Sequence, residues 1–153
     1  MFDLYHVLKF FHVAAVIIWL GSSVGFEFLA HLVQREDNPE ELAAVVGRVE
    51  FFGKYIYPPL SVLVLIFGAG MAWDAWGFRP LWIQIGLGGI LSTIAIGIGY
   101  LSRKLIKIKA MIEEQGANSL EVRDQIDQLL LVARIDAVIL FLVVADMVFK
   151  PGS

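Results

Sequence analysis

The chain's three histidines, His6, His12 and His31, all lie in one apolar stretch, Leu4 to Val33. A titratable ring in hydrocarbon costs free energy unless something compensates it, so such residues are functional candidates from the outset. Counting 1.5 Å per residue from Tyr5 places His12 ~10 Å inside the stretch. Val16, Trp19, Ser23 and Glu27 follow it at helical spacing and make one stripe. Trp19 comes out roughly 20 Å deep, beyond an interfacial aromatic belt, so it faces other helices or a planar ligand. A neutral imidazole is a common axial ligand of haem b, and aromatic and small neighbours make room for a macrocycle. On this reading His12 takes the iron, and Trp19 and Ser23 line the cofactor. The other reading of the same stripe has no cofactor: a histidine hydrogen-bonded to a carbonyl or hydroxyl across the bundle.

His6 sits about 240° around the helix from His12, near the interface, where a solvated role suits it. His31 lies about 28 Å further along the axis, so the two rings cannot ligate one iron from the same chain. A second histidine ligand must come from another subunit; otherwise the iron is five-coordinate or has a different sixth ligand. Axial arithmetic also brings Glu27 within reach of the long Arg134 side chain. An ion pair between them, shared with Asp136, neutralises charge inside the bundle. Asp146 falls at about the depth of His12, where it either orients the other ring nitrogen or snorkels to the interface.

These residues need helices to hold them. With 58% hydrophobic residues, 18% charged and a mean hydropathy of +0.74, the chain is an integral membrane protein. Four apolar windows approach or exceed spanning length: 4–33, 58–76, 81–101 and 129–149. The fold expected is an all-α four-helix transmembrane bundle in one domain, with cytoplasmic helical extensions. After the polar break Gln34 to Asp37, Asn38-Pro39-Glu40-Glu41 opens an amphipathic helix over 39–55, expected on the cytoplasmic membrane surface. Pro58-Pro59 predicts a break or kink, Gly77 and Gly116 helix stops, and Asn118 to Glu121 a capping box. Residues 102–128 form a helical hairpin. Gly89, Thr93 and Gly97, and separately Gly21 and Gly25, offer close helix approach.

Nine of the twelve Lys and Arg residues flank the first and third loops, which puts those loops in the cytoplasm and both termini outside. Trp73, Trp76 and Trp82 gather at the second loop, with Tyr5, as an interfacial belt. A net charge of −3 leaves no basic face for nucleic acid. Without cysteine there are no disulfides, thiolate metal sites, iron–sulfur clusters or covalently attached haem. The start Met-Phe-Asp, lacking a basic region, argues against a cleaved signal peptide.

The segment KFFHVAAVIIWLG, with Lys9, His12, Trp19 and Gly21 in register, resembles the first span of the copper-resistance D type superfamily of small membrane proteins. That superfamily includes an uncharacterised four-span family and, more distantly, the haem-containing protoporphyrinogen oxidase of many bacteria. The end of the chain, Arg134-Ile-Asp136 through Asp146 to Pro151, also looks like the end of the four-span family. The resemblance implies a multi-pass protein of the bacterial cytoplasmic (inner) membrane, with His12 matching the histidine held to bind haem. The oxidase carries a Pro-Arg pair where this chain has Val24-Gly-Phe-Glu27. This departure weakens the case for porphyrinogen oxidation and leaves haem binding without that activity open.

Two functions from different classes follow. One is a haem b protein in electron transfer or membrane redox chemistry. The other is a cofactor-free accessory subunit packed against a larger membrane complex or a second copy of itself. A solute permease fits less well, because the apolar spans hold few polar groups and no broken helix is evident.

Overall fold

The computed structural model describes residues 3–36 and 38–152. The Met1-Phe2 start and Asp37, part of the break expected after the first span, lie outside them. The order is α1 (Leu4–Glu36), α2 (Pro39–Phe51), a π-helical turn (Phe52–Ile56), α3 (Tyr57–Ala75), α4 (Leu81–Ile96), a second π-helical turn (Gly97–Leu101), α5 (Ser102–Gln115) and α6 (Leu120–Phe149). Because the π turns join their neighbours end to end, four long rods result: Leu4–Glu36, Pro39–Ala75, Leu81–Gln115 and Leu120–Phe149. All four are long and apolar enough to cross a membrane. The fold is an all-α four-span bundle.

Side chains such as Phe10, Ile17, Phe28, Ile66 and Phe141 point outward, as lipid-facing residues do. Inside, Ala15, Trp19, Val64, Ile90 and Leu140 form the core of the membrane half. A second core lies toward the end opposite the termini. There Val33, Val45, Ile108, Val122 and Ile126 bring α1, α2, α5 and α6 together, each 2% exposed or less. This corrects the placement of the amphipathic helix: Leu42, Val45 and Val46 of α2 are buried on protein, not laid on a membrane surface. Gln34 donates to Asp127 at 3.0 Å, and α1 stays helical through Gln34, Arg35 and Glu36 instead of ending at Val33. Lys109 of α5 meets Glu50 of α2 at 2.9 Å, and that hydrogen bond holds the exposed ammonium above its ordinary pKa.

The expected break at Pro58-Pro59 does not occur. Each proline lacks an N–H, so a regular helix would lose bonds there. One turn earlier the chain widens instead, Tyr57 N–H bonding to Phe52 O five residues back, and the prolines enter in the first turn of α3. The second π turn closes in the same way, from Ser102 N–H to Gly97 O, and Ser102 Oγ also donates to that carbonyl at 2.9 Å.

Asn38 caps α2 through Oδ1, which accepts from Glu41 N–H at 3.2 Å. Gly77 (φ +71°) and Gly116 (φ +81°) end their helices in a backbone region that disfavours other residues. The capping box at Asn118 to Glu121 is not formed. Ser119 Oγ turns back to Gln115, and Asn118 accepts from Arg123.

Of the glycines expected to allow close approach, Gly89 does so, whereas Gly21, Gly25 and Gly97 have nothing within 4 Å of a Cβ position. On α4, a Cβ at Gly86 would collide with Met147 Cε, and one at Gly89 with Val143 Cγ2. The α4–α6 seam therefore needs both glycines. At the termini end, Tyr5 stacks on Trp76 at 6.1 Å, Trp76 meets Trp82 edge-on, and Lys150 Nζ lies 4.1 Å from the Trp76 ring centre.

Candidate functional site

His12 is positioned by the tight pairing of α1 with α3. Its Nδ1 lies 2.9 Å from Val64 O. A carbonyl only accepts, so Nδ1 carries the proton, and in its neutral form the ring has its lone pair on Nε2. Across from the ring is Gly68, one helical turn beyond Val64. A Cβ there would sit 3.0 Å from His12 Cε1 and 3.3 Å from Nδ1. The missing side chain is what admits the imidazole between the helices. Asp146, offered by depth as the orienting partner, does not fill that role. Its Oδ2 is buried beside Gly86 on α4 with no hydrogen bond among the described residues, and Val64 holds the ring instead.

His6 and His31 are exposed, His6 edge-on to Tyr5 at 5.7 Å. Neither shares the level of His12. Among the described residues no three His, Cys, Asp or Glu side chains converge as a metal site. A porphyrin supplies four nitrogens of its own, so one imidazole is sufficient protein ligation for haem where it is not for a bare ion. The donor at His12 fits an axial ligand: one nitrogen fixed by a carbonyl, the other uncommitted.

Trp19 and Ser23 are not brought to the same place. Trp19 is buried and stacked on Tyr57, with ring centres 6.4 Å apart and planes at 24°. Both residues line a cavity of about 140 Å³ on the far side of Trp19 from His12, and His12 is not part of its wall. That volume is the scale of a single six-membered ring, not of a macrocycle. The place the structure gives both side chains is the wall of this separate cavity. The hydroxyl that reaches the aromatic pair is Ser22, whose Oγ lies 3.4 Å from the Tyr57 hydroxyl and 2.6 Å from Ile18 O.

Glu27 and Arg134 do meet, Arg134 Nε donating to Glu27 Oε1 at 3.0 Å. The arginine side chain is more than half exposed at the outer face of the bundle, and the glutamate is largely covered. Asp136 does not share it. The residue is 8% exposed, lines the cavity, and its Oδ1 is buried without a hydrogen bond among the described residues. Glycines of both π turns, Gly53 and Gly97, also line this space. The cavity has few signals in the sequence: the proline pair directly after the first π turn, and Asp136, an acid set in an apolar helix.

Neither a curated protein nor a solved structure matches the chain. Residues 6–151 match a family of membrane proteins, which covers all four spans, and the chain belongs to that family, described as predicted integral membrane protein (DUF2269).

Proposed function

We propose that this integral membrane protein binds haem b through His12 and takes part in electron transfer or membrane redox chemistry. The observation carrying the proposal is the bond from His12 Nδ1 to Val64 O, which fixes ring and tautomer and leaves Nε2 free to coordinate. Gly68 gives the ring its room. Bound haem would supply reversible one-electron chemistry. The chain's part is to hold the donor nitrogen still and keep water from it. The resemblance of the Lys9 to Gly21 segment to the copper-resistance D type superfamily supports the same residue. The excess of Lys and Arg at the first and third loops supports a bacterial inner-membrane orientation with those loops in the cytoplasm.

The second reading, a cofactor-free accessory subunit, draws on the same bond. One carbonyl satisfies one ring nitrogen and reduces the cost of a histidine in the span. An absorption spectrum of the detergent-purified chain from haem-replete cells separates the two. The proposal expects a Soret band that disappears in His12→Ala and persists in His31→Ala. A colourless wild-type preparation would leave only the accessory subunit.

A further inference from the structure

We propose that the cavity between the two π turns binds a membrane-dissolved aromatic ring with oxygens at two positions, a molecule of the hydroquinone class. The proposal is independent of haem binding, since His12 does not line the cavity. Three observations carry it. The first is size, because about 140 Å³ is close to the volume at which an apolar protein cavity takes up one benzene ring. The second is the wall. Trp19, stacked on Tyr57, gives a flat aromatic surface, and Phe26 stands beside it, edge-on to Phe52 at 4.7 Å. Flat rings associate favourably with such surfaces.

The third observation is polar. Most carboxyl and aliphatic hydroxyl side chains at the cavity are committed elsewhere: Thr93 Oγ1 to Ile90 O, Ser61 Oγ to Pro58 O, Ser102 Oγ to Gly97 O, and Glu27 to Arg134. Two of them are not. Asp136 of α6, nine-tenths buried, has an Oδ1 without a partner, and the Ser23 hydroxyl of α1 makes no hydrogen bond among the described residues. A buried carboxyl oxygen left unpaired is costly, which makes it the group a ligand would satisfy. A ring hydroxyl donates to Asp136, and a second ring oxygen meets Ser23 from the other helix. A plain hydrocarbon would fill the space and leave both groups unpaired.

The test uses the full chain in detergent micelles and saturation-transfer NMR, with 2-methyl-1,4-hydroquinone as probe and toluene as the apolar molecule of similar size. The expected result is saturable hydroquinone binding that weakens about tenfold or more in Asp136→Leu, as for loss of a hydrogen bond to a charged or buried acceptor. Toluene binding should be unchanged or stronger in that variant. Asp136→Asn, which keeps the shape and can still hydrogen-bond, should stay within about threefold of the wild type. If Asp136→Leu does not fold, Ser23→Ala serves in its place, with a weakening of a few-fold expected. Hydroquinone bound no better than toluene by the wild type, or equally well by wild type and variant, overturns the proposal. The Soret band plays no part in this readout, so failure here and failure of haem binding are separately visible.

Discussion

On the proposed haem reading, Gly68→Val is expected to abolish the pigment without unfolding the protein. A Cβ at this position would lie 3.0 Å from His12 Cε1 and 3.3 Å from Nδ1, and the two further methyl groups of valine extend into the same space. The ring must swing away, and swinging breaks its bond to Val64 O. Loss of the group that orients a ligating histidine typically reduces affinity about 10–100-fold. The neighbouring Gly70 provides the control. A Cβ there would meet Leu8 Cδ1 at 3.2 Å, the end of a flexible side chain that can give way, so Gly70→Ala should keep the pigment. Soret absorbance per mole of purified chain, read with the helical circular dichroism of each variant, decides the matter. Full pigment in Gly68→Val would mean that the bond to Val64 is not what prepares the ring.

Gly89→Val is the expected structural counterpart. Its Cβ would occupy the place of Val143 Cγ2, so α4 and α6 cannot keep their separation. Overpacking of this kind costs about 1–3 kcal/mol, and in a chain of this length each kcal/mol lowers the melting temperature by about 2–4 °C. Val143→Ala removes the colliding methyl and should recover part of the loss in the double variant. Gly88→Val, one residue earlier, has open space around its Cβ position and should be close to neutral. Thermal unfolding of the four proteins in one detergent checks the pattern. Equal melting temperatures for Gly88→Val and Gly89→Val would contradict the seam.

What the sequence makes legible follows from how far each signal reaches. Spanning helices declare themselves because composition alone separates hydrocarbon from water, and the Glu27–Arg134 contact could be found from axial rise because Arg134 is long enough to absorb the error. The partner of His12 could not. A backbone carbonyl such as that of Val64 has no residue signature, whereas Asp146, which has one, lies beside Gly86 on a different helix. The glycines show the same limit: spacing identifies Gly89 as a small residue on a face, but only the rotation of α4 against α6 adds Gly86 and leaves out Gly97, Gly21 and Gly25. The cavity was hidden for a related reason. It depends on two π turns, and a π turn is a one-residue change of register that leaves the apolar pattern almost intact.

Among these expectations the central one is that His12 presents a lone pair on Nε2 while Nδ1 holds the proton. The direct measurement is ¹⁵N NMR of the histidine ring in the full chain, with His6→Gln and His31→Gln leaving a single imidazole. The predicted spectrum shows Nδ1 protonated and Nε2 bare before haemin is added, and afterwards loss or displacement of the Nε2 signal. A ring protonated on Nε2, or one whose two nitrogens ignore haemin, would contradict the account.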